Sequence, residues 1–417
     1  MAALKLPTFR KIIMKRRVTF SQFILVIGFF FHTGIYATAQ PGEKRIQYPR
    51  SLNNAYFGIN IGYISYSFSS AQLEEGFTMQ SVNIPHIAPR LIIYGHPFNK
   101  YLSVQISYMR PVDWVIYKNI NGDQKTHSVW MNIAGITLAT QIPIHKKFSL
   151  FAEAGPGFIT RKGFDINGIA VIKDATYTSL IAGAALQYHI NKKWDLQTSV
   201  TWSPKHAKDK QPQIIFYSAG FNYHLKELSK EKVENNIKSG YYFAKQMIQA
   251  GYTTNATGYG ANNFFSKKIP IFWGGVAQVK QGFSLNYQRN IFHARKVFSF
   301  DWGASMGYWK TEKKQDEFFT LSLYPVLRFT AIRSKKADLF FEYSVAGPSF
   351  ISKKIIDNEN TGQHFTFQDF MGIGLFAGAK KNWNAGIRIV HFSNGNIFPQ
   401  NAGVKVPLTL SLGYALQ

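Results

Sequence analysis

The chain has 417 residues, no cysteine and a formal charge of +26, with 46% hydrophobic and 16% aromatic residues. Without cysteine it holds no disulfide, no thiolate metal site and no lipid anchor on a processed cysteine. No later stretch is apolar over the ~20 residues that a membrane-spanning helix needs, so the apolar content must lie along strands.

Residues 1–22 contain Lys5, Arg10, Lys11, Lys15, Arg16 and Arg17 and no acid. An apolar run over 23–31 follows, then Ala37-Thr38-Ala39 before Gln40. This order predicts a secretory signal peptide over 1–39, cleaved after Ala39, with Met14-Lys15-Arg16-Arg17 as a second possible opening.

Beyond it the chain alternates. Over 297–309, Phe298, Phe300, Trp302, Ala304, Met306 and Tyr308 oppose Ser299, Asp301, Gly303, Ser305 and Gly307. Over 319–331 the apolar set is Phe319, Leu321, Leu323, Pro325, Leu327 and Phe329, and over 339–345 it is Leu339, Phe341, Tyr343 and Val345. Over 404–416, Val404, Val406, Leu408, Leu410, Leu412, Tyr414 and Leu416 fall on one face, which turns Lys405 toward the interior. Segments of about ten alternating residues behind an export signal predict an all-β fold, an antiparallel transmembrane β-barrel of the bacterial outer membrane.

The charge-dense stretch 225–239 breaks the alternation and reads as a linker between halves 40–224 and 240–417. The halves resemble each other: Ala154-Gly155-Pro156-Gly157-Phe158-Ile159 recurs as Ala346-Gly347-Pro348-Ser349-Phe350-Ile351, and Trp194 recurs as Trp383. A duplication predicts two tandem barrels of about eight strands, with one barrel of roughly sixteen as the alternative. Glu153 and Glu342 match each other and face inward, as members of structural ion pairs. Removing the six basic residues before Gln40 from +26 leaves +20. In an exported chain that excess points to the phosphates of lipopolysaccharide and not to nucleic acid.

The stretch 387–403 carries the chemistry. His391 and Ser393 are two apart on a strand and share a face with Ile389, Ile387, Ala385 and Trp383, the lipid-facing stripe. A hydroxyl beside an imidazole is the minimal nucleophile–base pair for acyl transfer. The bland reading places both at the headgroup level, where the strand leaves the membrane. One strand earlier, Asp369 is the lone acid in the outward set Phe365, Phe367, Asp369, Met371, Ile373, Leu375 and Ala377. A tight turn at Ala379-Lys380-Lys381 that sets Gly378 opposite Asn382 places Asp369 directly across from His391.

His391-Phe392-Ser393-Asn394-Gly395-Asn396, with Pro399, Asn401 and Gly403 before a final strand, resembles the C-terminal motif of the lipid A 3-O-deacylases of the PagL type. Gly282-Phe283-Ser284-Leu285-Asn286-Tyr287 and Phe298-Ser299-Phe300-Asp301 look like that family's early strands, so the resemblance spans roughly 240–417. It implies a small outer-membrane barrel that hydrolyses the 3-linked acyl chain of lipid A without a cofactor. His391 would be the base, Ser393 the nucleophile, and Asn394 with the Gly395 amide would lie near the oxyanion. The family's acid falls fourteen residues after the histidine, where this chain has Lys405, which cannot accept an imidazole N–H. Asp369 is the substitute that the register suggests. The strand direction puts these residues at the outer rim, open to substrate moving sideways in the membrane. The repeat offset maps His391, Ser393 and Asp369 onto Trp202, Pro204 and Leu180, so the first half reads as a copy without this chemistry. The competing reading is a non-enzymatic barrel, structural, adhesive or weakly pore-forming.

Overall fold

The computed structural model describes residues 46–416, apart from 239–240, 242, 268–273, 295–296, 396 and 399. The segment 1–39, read as an export signal, lies outside the described residues.

The first half forms β1 (Tyr56–Ser65), β2 (Ile87–Pro97), β3 (Leu102–Met109), β4 (Asp123–His145), β5 (Phe148–Lys162), β6 (Ala175–His189), β7 (Trp194–Ser203) and β8 (Ile214–His224). Each strand pairs antiparallel with its neighbours, and β1 pairs with β8 to close the ring. Met79–Asn83 and Val115–Ile120 continue the pairing beyond the ring at the upper part of β4.

The second half forms β9 (Gln246–Thr254), β10 (Ala277–Ala294), β11 (Phe298–Thr311), β12 (Glu317–Arg333), β13 (Ala337–Ile351), β14 (Phe365–Ala377), β15 (Trp383–Ser393) and β16 (Val404–Leu416). It closes through β9 and β16. Each half therefore closes on itself, which rules out a single sixteen-stranded ring. Between them, α1 (Lys230–Lys238) occupies the charge-dense stretch and buries none of its residues.

The polarity of both rings is inverted relative to a soluble fold. In β7, Trp194, Leu196, Val200 and Trp202 are exposed on the outside while Asp195, Gln197, Thr201 and Ser203 are buried inside. Apolar outside and polar inside is what lipid on one face and a filled lumen on the other select. Glu153 sits inside the first ring, where it pairs with Arg90. Glu342 sits inside the second, where Arg388 lies at 2.8 Å and Arg328 at 3.7 Å.

One face assignment needs correcting. Between Arg388 and Val390 the β15–β16 register shifts by one residue, so His391 pairs with Lys405 and Val390 with Val406. An extra residue in one strand reverses the facing of everything beyond it. Leu408, Leu410, Leu412, Tyr414 and Leu416 do follow one face. Val404 and Val406 instead pack inward with Val390 and Phe392, and Lys405 turns outward. Pro407, which has no N–H to give the ladder, lies at this bulge.

Candidate active site on the outer wall of the second barrel

The tight turn after β14 sets the register that brings the site together. Phe376 pairs with Asn384, and seven pairs further Asp369 pairs directly with His391. Directly opposed residues of a sheet hold their Cβ atoms about 4.5–5.5 Å apart on one face. Here the His391 Nδ1 lies 3.4 Å from Asp369 Oδ2.

The other carboxylate oxygen is held from the next strand. Ala346 donates its backbone N–H to Asp369 Oδ1 at 2.6 Å. That N–H is free of the ladder because β13 carries a bulge between Ser344 and Gly347, with Ala346 in the left-handed region at φ 55°. The matching Ala154-Gly155-Pro156 of the first barrel lies in β5 with no register shift at that point against β4 or β6. The bulge that orients Asp369 thus has no counterpart at this point of the first barrel.

Ser393, half-buried, is two residues beyond His391 on the same strand and pairs with Phe367. The chain then leaves the wall at Asn394, which is fully buried and acts as an anchor. Its backbone N–H donates to Asn401 Oδ1 at 2.9 Å, and its side-chain amide donates to Thr361 O at 3.1 Å and to Gln400 O. Ala402 N–H reaches Asn360 O at 3.1 Å. The 394–403 loop is thereby tied to the loop that follows β13. Gly395 and Gly403 turn this loop with φ of 62° and 66°. A Cβ at Gly403 would stand 3.2 Å from His391 Nε2.

Lys405 flanks His391 on the side away from Asp369. Its ammonium donates to Asn263 Oδ1 at 3.0 Å and lies over the Tyr259 ring, 5.5 Å from the centroid. Burial pushes the Tyr259 phenol up, and its hydroxyl donates to Val279 O at 2.6 Å.

These contacts belong to a cover that the alternation does not reveal. β9 stops at Thr254, and above it β10 pairs directly with β16, Ala277 with Val404 and Gln278 with Lys405. The wall is closed there, so the described part of the connection, 255–267, lies outside it. Within this connection α2 (Gly260–Lys267) packs Ala261 and Phe265 against the outward-facing Met371 and Ile389. Asn262 donates its amide to Val406 O at 2.9 Å. Asp369 and His391 thus occupy the outer face expected from the sequence, yet they are only 4% and 1% exposed. The length of the β9–β10 connection is the one sequence signal that could have indicated a cover. At the matching positions of the first barrel, Leu180 and Trp202 face outward and are exposed.

Two family models match the chain. Residues 50–229 match the OmpA-like transmembrane domain, and residues 281–415 match lipid A 3-O-deacylase (PagL). The outer membrane enzyme PagL is similar at 18% identity over 41% of this chain and 99% of its own, with a TM-score of 0.31. Neisserial surface protein A is similar at 16% identity over 41% and 97%, with a TM-score of 0.29. The attachment invasion locus protein Ail of Yersinia pestis is similar at 16% identity over 42% and 99%, with a TM-score of 0.26. No curated protein matches the chain. The likeness to the lipid A 3-O-deacylases read from the His391-Phe392-Ser393-Asn394 motif thus extends over most of the second barrel.

Proposed function

We propose that the second barrel is an outer-membrane acyl hydrolase that removes the 3-O-linked chain of lipid A, with Ser393 as nucleophile, His391 as base and Asp369 as its orienting acid. The observation that carries this reading is the carboxylate of Asp369 facing His391 Nδ1 on the lipid side of the wall. With Nδ1–H donated to Asp369, Nε2 is the nitrogen that would take the Ser393 proton. The Ser393 Oγ bonds to the ester carbonyl carbon, and the Gly395 amide steadies the oxyanion. The ester C–O bond then breaks, the sugar oxygen takes the proton from Nε2, and water releases the acyl chain by the reverse sequence. Asn394 serves the loop and not the oxyanion, since its donors are committed. Lys405 is drawn toward Asn263 and Tyr259, which moves its charge away from the imidazolium that forms. Short turns of such barrels face the periplasm and long loops the exterior. The site lies at the long-loop end, level with the leaflet that holds lipopolysaccharide.

Mass spectrometry of lipid A from cells with and without the protein tests this. Loss of one hydroxyacyl chain, absent with Ser393→Ala, supports it; identical spectra with and without the protein refute it. A second reading, a non-enzymatic barrel, is favoured by one observation, the near-complete burial of His391 under α2.

The enzyme reading requires α2 to lift for substrate. Phe265→Ala removes about 2 kcal/mol of apolar burial from the covered state. Where the covered state dominates, this raises the initial deacylation rate up to roughly thirtyfold, measured on lipid A in detergent. Gly403→Ala acts in the opposite direction. A left-handed alanine costs about 1–2 kcal/mol, and its methyl presses on Nε2. The expected loss is about tenfold in turnover with the fold retained, read from rate and heat-modified electrophoretic mobility.

A further inference from the structure

The first barrel holds a serine, a histidine and an acid in hydrogen-bonded series, at its short-turn end and inside the lumen. Ser149, near the start of β5, pairs with Gln187 of β6, which puts it diagonal to His189. The Ser149 Oγ donates to His189 Nε2 at 2.8 Å. His189 pairs directly with Asp195 across the β6–β7 turn, and its Nδ1–H donates to Asp195 Oδ1 at 2.8 Å. The second carboxylate oxygen takes the Nε2–H of His224 at 2.7 Å. Gln141 donates its amide to Ser149 Oγ at 3.1 Å and stands 3.3 Å from His189 Nε2.

A belt of polar side chains closing a lumen needs hydrogen bonds but no particular order. This order is specific. The acid takes Nδ1–H, so Nε2 carries the lone pair and faces the hydroxyl proton. The Gln141 amide against Oγ further fixes the direction in which the hydroxyl points. We infer that Ser149 is a second nucleophile, activated by His189 and Asp195, for small carboxylic esters entering from the short-turn mouth. Access is by way of the two imidazoles, whose side chains are part-exposed there, while Ser149 itself is 1% exposed. That burial restricts the acyl group to a small one and makes displacement of the Gln141 amide part of binding.

In the step itself, Oγ bonds to the carbonyl carbon as its proton passes to His189 Nε2, and the Gln141 amide is the donor nearest the oxyanion. The ester C–O bond breaks and the leaving alkoxide takes that proton. Water then cleaves the acyl-serine with His189 again as base. Nothing in this relay descends from the Ser393 site, which lies at the opposite end of its barrel and on the outer face.

Full-length protein in detergent micelles, carrying Ser393→Ala, is treated with diisopropyl fluorophosphate and digested for peptide mass spectrometry. Diisopropylphosphorylation of Ser149, with loss of fluoride, is expected, slowed about a hundredfold or more by His189→Gln and by Asp195→Asn. Retention of the folded electrophoretic mobility by either variant makes its rate interpretable, and acetylation of Ser149 by 4-nitrophenyl acetate is the second readout. An unlabelled Ser149, or a rate equal in the parent and in the folded variants, overturns the inference. Labelling of Ser393 in the unsubstituted chain reports separately on the second barrel.

Discussion

Asp369→Asn is expected to lower deacylation about 10^4-fold while the barrel keeps its fold and its substrate affinity. The magnitude follows from what an orienting acid does in a serine–histidine relay, where the isosteric amide preserves geometry but imposes the wrong tautomer. In this chain the amide oxygen can still accept the Ala346 N–H. The amide nitrogen then faces Nδ1, and Nε2 must carry the proton it should receive. Asp369 also has a counter-position for comparison, Lys405, which pairs with His391 from the other side. Lys405→Glu places a carboxylate where the family resemblance puts it, at the cost of the Asn263 contact. Asp369→Asn with Lys405→Glu is therefore expected to regain part of the lost rate. Initial rates on purified lipid A, with the Ser393→Ala chain as background, measure both. Undiminished turnover in Asp369→Asn would remove this residue from the relay.

The features that could be read from the sequence are those set by period two. Lipid and lumen select opposite polarity, so Trp302, Met306 and Tyr308 could be told from Asp301 and Ser305 by composition alone. The Asp369–His391 pairing was legible only in part. Period two put both on one face, while a two-residue slip at the turn after Ala377 would have set Met371 or Phe367 opposite His391, and the structure gives the register. Lys405 was not legible, since a single inserted residue near Pro407 reverses the facing of β16, and only the proline hints at it. The cover was not legible either. Gly260–Lys267 has no strand period, and nothing local in it indicates that Ala261 and Phe265 rest on Met371 and Ile389. The Ser149–His189–Asp195 series escaped because its members lie on three strands and meet only through two registers.

Glu153→Leu is expected to destabilise the first barrel by about 3–5 kcal/mol, the cost of leaving a buried partner charge uncompensated. Arg90 reaches both Glu153 oxygens, at 2.5 and 2.9 Å, and also Thr201 at 3.0 Å and Ser107 at 3.1 Å. Thr137 donates to the same carboxylate at 2.7 Å, and Gln105 does so as well. Removing the acid strands a guanidinium in a filled lumen. Removing both charges, as Arg90→Met with Glu153→Leu, is expected to recover most of the loss, because desolvating the pair offsets much of its attraction. The temperature at which folded electrophoretic mobility is lost reads both variants. A small effect in the single variant would show water reaching Arg90. The comparison extends to the second barrel. Glu342 occupies the matching place in the second barrel, but its arginines come from β12 and β15, whereas Arg90 comes from β2. Each barrel thus holds a carboxylate in its lumen and pairs it with cations from different strands. With two arginines sharing one carboxylate and Asp301 also bound to Arg328, Glu342→Leu leaves one charge still paired. Arg388 is then stranded as Arg90 is by Glu153→Leu, so the two barrels are expected to lose stability to a similar extent.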